Sequence, residues 1–134
     1  MKKIFFALTT AVVWMTASTL LHSCYYDSRE ELFGGNTCDT TNVTYSLNIL
    51  PILEAQCYSC HSEANANAQG GGNNLEGYVN LSDFITPNDP ENSLLYQSVA
   101  WIPGTSFMPK GGQKLSSCEL AQIRTWIVEG ATNN

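Results

Sequence analysis

Histidine, methionine and positively charged side chains are all scarce in this chain. Its 134 residues include 2 histidines, 3 methionines and 6 Lys or Arg residues, against 12 Asp or Glu residues. The formal net charge of −6 at pH 7 disfavours binding to nucleic acid and to anionic membrane surfaces. Two histidines also leave little room for the acid–base chemistry that a Ser-His-Asp set performs.

The first 23 residues have the pattern of an export signal. Lys2 and Lys3 follow Met1, and residues 4–21 carry no charged side chain. A positive start followed by an apolar run is typical of a segment that directs export and is then removed. An apolar run of this length is also compatible with an uncleaved membrane helix, since about 20 such residues span a bilayer.

The stretch Leu21-His22-Ser23-Cys24 resembles a bacterial lipobox, with Leu three positions before the cysteine. The resemblance implies cleavage before Cys24 and acylation of this residue, which would anchor the exported chain to a membrane. We therefore expect a signal peptide over residues 1–23, a flexible tether over 24–37 and one domain over 38–134. The expected location is the periplasmic side of a bacterial membrane or the outer membrane.

Residues Cys57-Tyr58-Ser59-Cys60-His61 form a C-x-x-C-H motif, the attachment signature of c-type haem. Two thiols on one helical turn can each bond a vinyl group of one porphyrin, and the adjacent imidazole then serves as the proximal iron ligand. One motif predicts one covalent haem c. The alternatives for Cys57 and Cys60 are a zinc site, which needs four ligands, and a redox dithiol, which usually follows a strand.

After Cys24 the chain contains one histidine, His61, and one methionine, Met108. A six-coordinate haem needs a second axial ligand, and Met108 is the thioether that remains. It lies in residues 102–112, where two prolines and three glycines predict a loop. Lys110 and Lys114 are alternative ligands, and simple packing of Met108 under the loop is the structural alternative. With its histidine assigned to iron, this part of the chain has no residue left for a Ser-His-Asp set, so we expect no enzyme.

These motifs together resemble class I cytochrome c, and more closely the small exported cytochrome c domains of the planctomycete and Bacteroidetes type. The resemblance covers about residues 38–131. It implies an all-α fold with crossed first and last helices around one covalent haem, and it implies axial ligation by His61 and Met108. The polar stretch 62–74 departs from the commoner pattern. The stretches that carry the resemblance are Ile49-Leu50-Pro51-Ile52-Leu53, the C-x-x-C-H motif, Asp89-Pro90-Glu91-Asn92-Ser93-Leu94-Leu95, Met108-Pro109-Lys110-Gly111-Gly112 and Leu115-Ser116-Ser117-Cys118-Glu119.

The local patterns predict three helices. The first begins near Ser46 or Asn48 and runs to about Gln56, and the second begins at Asp89 and Pro90 and runs to about Val99. Residues 64–74 are predicted as a mobile surface loop, and residues 78–81 as a short extended piece.

The last helix has the strongest signals. Ser116 and Glu119 match a capping box, flanked by Leu115 and Leu120 at the staple positions. Leu120, Ile123, Trp126 and Ile127 recur at spacings of 3 and 4, and Gly130 follows as a C-terminal stop. Trp126 is the expected contact between the first and last helices.

Cys38 and Cys118 are the two cysteines left after lipid and haem are assigned. An even number in an exported protein favours a disulfide, which would join the chain before the first helix to the first turn of the last. A zinc site made of Cys38, Cys57, Cys60 and Cys118 is the alternative use.

These observations predict one-electron transfer by a membrane-tethered cytochrome. Its partners would be redox proteins or a respiratory or dehydrogenase complex that contains it as a subunit, with no nucleic acid. If Met108 does not ligate iron, the alternative is a five-coordinate haem sensor or a peroxidase-like protein. A non-haem structural or zinc-bound interaction domain is the third hypothesis. Tyr78, Trp101 and Lys110 are candidates to bind the haem propionates.

Overall fold

The computed structural model describes residues 38–134. The predicted signal peptide (1–23), the lipidation site Cys24 and the tether (24–37) lie outside the described residues and stay predictions. Within residues 38–134 the fold is helical and has no strand, as predicted. None of the helices in this range is long and apolar enough to cross a membrane. The α-helices are α1 (Leu50–Gln56), α2 (Tyr58–His61), α3 (Tyr78–Ser82), α4 (Leu94–Val99) and α5 (Ser117–Val128), with a π-helical turn at Tyr45–Ile49 and a 3-10 turn at Pro90–Asn92.

The first helical segment begins earlier than predicted, with the π-helical turn that leads into α1. Thr44 caps it, because the Thr44 hydroxyl accepts a hydrogen bond from the Leu47 N–H at 3.2 Å. A second hydrogen bond runs in the reverse direction, since the Asn48 side-chain oxygen accepts the Thr44 N–H at 2.9 Å. Ser46 and Asn48 are therefore not the caps. Pro51 lies in the first turn of α1, where its missing N–H costs nothing.

The inward face of this segment consists of Ile49, Ile52 and Leu53, which are all buried. Leu47 is 78% exposed and lies on the opposite face. The buried face aligns α1 against the core, so that α1 delivers the residues that follow Gln56 to a fixed place.

The stretch predicted as extended is instead a short helix, α3. It begins after Gly77, whose φ of 79° is readily adopted only by glycine among the common residues. Leu81 donates its N–H to the Gly77 carbonyl at 3.1 Å and is fully buried. Tyr78 packs edge-on against the Tyr45 ring, with ring centroids 5.4 Å apart. Tertiary contacts therefore decide a conformation that the weak local pattern left open.

The second predicted helix is two pieces, the 3-10 turn and α4, separated at Ser93. Asp89 caps the 3-10 turn by accepting the Asn92 N–H at 3.2 Å. Ser93 is extended and fully buried, and its hydroxyl lies 3.1 Å from the Thr86 carbonyl and 2.9 Å from that of Asp89. These bonds tie the preceding loop to the start of α4, and they explain the break.

Helix α5 agrees with its sequence signals. Both bonds of the capping box are present between Ser116 and Glu119. Trp126 and its neighbours Ile123 and Ile127 are buried, and Gly130 follows with a φ of 97°. The Trp126 ring contacts Tyr45 of the first helical segment, with centroids 5.9 Å apart.

The disulfide between Cys38 and Cys118 is present, with Cα atoms 5.3 Å apart. It joins the start of the described chain to the first turn of α5, as predicted. The zinc site composed of all four cysteines is therefore wrong, since two of its thiols are bonded to each other.

Candidate haem site

The C-x-x-C-H motif occupies the junction between α1 and α2. Cys57 ends α1 by donating its N–H to the Leu53 carbonyl at 2.9 Å. Its own carbonyl then accepts the N–H groups of Cys60 at 3.1 Å and His61 at 2.8 Å. This hydrogen-bonded turn holds the residues of both thiols and of the imidazole close together in one short segment. Neither cysteine is in a disulfide.

Burial gives the Cys57 thiol surroundings unlike those of a metal-binding thiolate. Desolvation raises the pKa of Cys57 to about 11, and the nearby negative charge of Glu119 adds to this effect. The Cys57 thiol is therefore protonated at neutral pH. Within residues 38–134 no cluster of three or more His, Cys, Asp or Glu residues could hold a metal ion. Neither observation supports the zinc alternative for the motif.

His61 is oriented by the backbone of Asn73. Its Nδ1 lies 2.9 Å from the Asn73 carbonyl oxygen. Because a carbonyl only accepts, Nδ1 carries the proton, and Nε2 keeps a lone pair for a metal. Such partners fix the tautomer and ring direction of ligating histidines. The Leu75 N–H also donates to the His61 carbonyl at 2.8 Å, so that both the ring and the backbone of His61 are held.

Residues 64–74, predicted as a mobile surface loop, instead belong to a series of hydrogen-bonded turns that pack against His61. We call residues 62–75 the proximal strap. Its Ala66 is buried and accepts the N–H groups of Gly70 at 3.0 Å and Gly72 at 2.8 Å. A Cβ at Gly70 would lie 2.6 Å from the Cys60 carbonyl oxygen and 2.9 Å from His61 Nδ1. Glycine is therefore required where the strap passes the motif.

Met108 lies in the loop of residues 100–115, here called the Met108 loop, between α4 and α5. Its N–H donates to the Ser98 carbonyl at 3.1 Å, and its carbonyl accepts the Trp101 indole N–H at 2.7 Å. The side chain is partly buried against the hydrophobic core. Both backbone polar groups of Met108 are thus fixed to the end of α4.

A single cleft of about 410 Å³ brings these elements together. Cys57, Cys60, His61 and Met108 all line it. Its volume lies within the range of about 300 to 1,000 Å³ that is usual for ligand and cofactor pockets. The apolar wall consists of Leu75, Phe84, Leu95 and Val99, and Lys110 is the one lysine among the lining residues.

Residues 57–112 match the family model for Planctomycete cytochrome C. This chain contains a cytochrome c-like domain. The matched range begins at the first cysteine of the motif and ends shortly after Met108, so it includes every residue that lines the cleft except Gln56. No curated protein and no solved structure matches the chain. The cytochrome c family implies a covalently bound haem c and points to electron transfer.

The cleft of this cytochrome c-like domain fits a haem c. Cys57 and Cys60 supply two free thiols three positions apart, which is the donor set that thioether attachment requires. His61 Nε2 has its lone pair available, and Met108 supplies a thioether on the same cleft. The apolar wall suits the faces of a porphyrin.

Two of the three residues considered for the haem propionates are engaged elsewhere. The Tyr78 hydroxyl donates its one proton to the Ala131 carbonyl at 2.8 Å, and the Trp101 N–H is used by Met108. Lys110 lines the cleft and keeps this role as a prediction.

Sequence reasoning missed Asn73, Gly70 and Ser98. Asn73 and Ser98 act through their backbone carbonyls, which any residue offers, so no side-chain pattern could reveal them. The three consecutive glycines at 70–72 are a signal, but glycine-rich composition indicates flexibility as readily as it indicates close packing against His61.

Proposed function

We propose that this protein transfers single electrons as a membrane-tethered cytochrome with one haem c, bonded to Cys57 and Cys60 and ligated axially by His61 and Met108. One observation carries the proposal: these four side chains line one cleft, and the His61 ring is turned so that Nε2 is its free nitrogen. The bound haem would supply the one-electron iron couple.

The two proposed axial ligands, His61 and Met108, explain why such a centre would carry electrons and would not bind a substrate. His61 and Met108 would fill both axial positions, which leaves no vacancy for a substrate or dioxygen. A thioether ligand also favours the reduced iron and raises the reduction potential. The strap and the Met108 loop hold both ligands through their backbones, so little movement accompanies the change of charge. We therefore propose a carrier and not an enzyme.

The contacts around the terminal helices support the cytochrome arrangement. The Tyr45–Trp126 contact holds the first helical segment against α5, and the Cys38–Cys118 bridge ties the chain before that segment to the first turn of α5. A crossing of these two segments around the haem is part of the proposal.

The mouth of the cleft offers a route for the electron. Leu94 lines it and is 49% exposed, and none of the carboxylates in residues 38–134 is among its lining residues. A redox protein, or a respiratory or dehydrogenase complex, would dock at this carboxylate-free mouth and avoid the acidic side chains on the rest of the surface. We propose further that export and acylation of Cys24 keep the domain at a bacterial membrane, where such partners work.

An optical spectrum of the purified protein tests the ligand set. We expect the oxidised form to show a far-red sulfur-to-iron band, and Met108→Ala to abolish that band while haem stays covalently attached. Gln113→Ala, an exposed change in the same loop, serves as the matched control and should keep the band.

Carbon monoxide provides the opposing result. Rapid, complete binding to the reduced wild-type protein at neutral pH would mean an open axial position, and would favour a five-coordinate sensor or peroxidase-like protein. A colourless protein from a host competent to mature cytochromes would contradict the haem itself.

A further inference from the structure

The Met108 loop has little regular structure with which to hold an axial ligand. It contains 3 glycines, at positions 104, 111 and 112, and no helix or strand lies within its residues 100–115. Neutral thioethers depend on being placed correctly, because a flexible loop loses conformational entropy on binding. Whatever orders this loop therefore influences how firmly Met108 can bind iron.

Trp101, near the start of this loop, contacts two consecutive residues further along it. Its indole N–H donates to the Met108 carbonyl at 2.7 Å. Its ring lies parallel to that of Phe107, with ring centroids 5.6 Å apart and an interplanar angle of 10°. The same side chain therefore fixes the ligand residue by a directional bond and the preceding residue by its ring face.

Trp101 is in turn anchored to the end of α4. Its N–H donates to the Ser98 carbonyl at 3.3 Å, which is the same oxygen that accepts the Met108 N–H at 3.1 Å. Ser98 itself lines the cleft. One carbonyl of α4 thus holds both the tryptophan and the ligand residue, which closes a small hydrogen-bonded ring of three residues.

The backbone of Trp101 shows that this placement is maintained against local preference. Its φ is 61°, in the left-handed region, where a bulky side chain is an outlier. Strained residues of this kind persist where the surrounding structure holds them, and they concentrate at functional sites. The contacts of Trp101 with its surroundings include its backbone bond to Ser98, the indole bond to Met108 and the stack on Phe107.

We propose that Trp101 is a positioning residue for Met108. Trp101 holds the backbone of the Met108 loop against the end of α4, and this places the Met108 thioether where it can bind iron. This inference rests on the proposed axial role of Met108. Trp101 does not touch the reacting atoms itself. It acts by lowering the conformational freedom that Met108 would otherwise lose on ligation.

Competition by imidazole tests this role in the purified haem protein. We expect imidazole to displace Met108 from the oxidised form, and loss of the far-red band would report the displacement. Trp101→Phe keeps an aromatic ring facing Phe107 but removes the indole N–H. We expect the variant to need about tenfold less imidazole, the lower end of the effect of removing a partner that orients a ligand.

Trp126→Phe is the matched control, since Trp126 also donates its indole N–H to a backbone carbonyl, that of Thr132 at 2.9 Å. It removes an equivalent bond away from the Met108 loop, and should lower stability without changing imidazole affinity. Equal effects of the two variants, or an unchanged affinity in Trp101→Phe, would overturn the proposal.

Phe107→Leu gives a second measurement if Trp101→Phe fails to retain haem. It removes the stack from the exposed side and should raise imidazole affinity by a smaller factor, and an unchanged affinity would count against the clamp. A wild-type protein without the far-red band would instead refute the ligation by Met108, so the two failures are distinguishable.

Discussion

Gln56, the last residue of α1, donates its side-chain amide to Glu119 Oε1 at 3.0 Å. The other carboxylate oxygen of Glu119 accepts the Ser116 N–H at 2.8 Å and completes the cap of α5. One carboxylate therefore caps the last helix and joins it to the end of α1, next to Cys57. The start of α5 and the haem motif are coupled through this residue.

Replacing Glu119 by Gln should lower the free energy of unfolding by about 0.3 to 1 kcal/mol at pH 7, because Gln can keep the capping-box bonds but loses the negative charge near the helix N-terminus. Burial acts to raise the pKa of Glu119, but the hydrogen bonds from Ser116 and Gln56 outweigh it and hold the pKa below the ordinary value of 4.5. The folded-state pKa is thus the lower one. The stabilisation is present above about pH 4.5 and is lost as the pH falls through the folded-state value.

Denaturant unfolding at a series of pH values measures this effect. Glu119→Gln should show a shallower loss of stability in acid than the wild type. Glu54→Gln makes the same change at an exposed position of α1 and should leave the profile unchanged. A Glu119→Gln profile parallel to the wild-type one would contradict the argument.

The Cys38–Cys118 bridge closes a loop with a sequence separation of 80. A cross-link of this span restricts the unfolded chain strongly, and its loss typically costs about 2 to 4 kcal/mol. The double variant Cys38→Ser/Cys118→Ser should be destabilised by this amount while its visible spectrum is unchanged. Chemical denaturation of the variant, beside wild type treated with reductant, provides the comparison. If reductant destabilises the wild type but the variant is as stable as the untreated protein, the bridge is not the cause.

The raised pKa of Tyr45 leads us to expect a lower free energy of unfolding at alkaline pH. Burial, aided by the neighbouring Tyr58, raises the pKa of Tyr45 to about 12 from an ordinary value of 10.0. The folded state therefore keeps its proton over a range where the unfolded state loses it. The stabilisation is complete below about pH 10 and is lost as the pH rises towards 12. Tyr45→Phe should flatten the fall in unfolding free energy between these values, and an unchanged slope would contradict it.

The sequence predicted the haem motif and α5 because each depends on particular residue types at a fixed local spacing, and it predicted the disulfide because two cysteines remained after the others were assigned. The capping box is the clearest case, since Ser116 and Glu119 satisfy each other within one turn and need no distant contact. The Cys57–His61 motif is similar, because its geometry is local to one helical turn. Such features can be derived before any tertiary structure is known.

The sequence was a poor guide where distant contacts decide the backbone. Residues 78–81 form a helix because Leu81 and Tyr78 pack into the core, and Ser93 breaks a helix because its hydroxyl binds a preceding loop. The proximal strap was misread for the same reason. Polar, glycine-rich composition predicts mobility, but Gly70 is buried because the strap must pass close to Cys60 and His61.

Gly70 provides the sharpest test of the strap. In Gly70→Ala the new Cβ would meet the Cys60 carbonyl oxygen at 2.6 Å, and backbone must move to relieve the contact. Overpacking of this kind costs about 1 to 3 kcal/mol, and here the displaced atoms include those that orient His61. We expect lower stability together with reduced covalent haem content, measured by absorbance after denaturing electrophoresis.

Gly71→Ala separates this clash from simple backbone strain. Gly71 has a φ of 64°, but a Cβ there meets nothing within 4 Å. Alanine in the left-handed region costs about 1 to 2 kcal/mol. Gly71→Ala should therefore lose stability but keep its full haem content. Equal haem content in the two variants would show that the strap does not position the attachment motif. A loss of haem in Gly70→Ala alone is expected only if Gly70 is needed for the strap to pass close to Cys60 and His61.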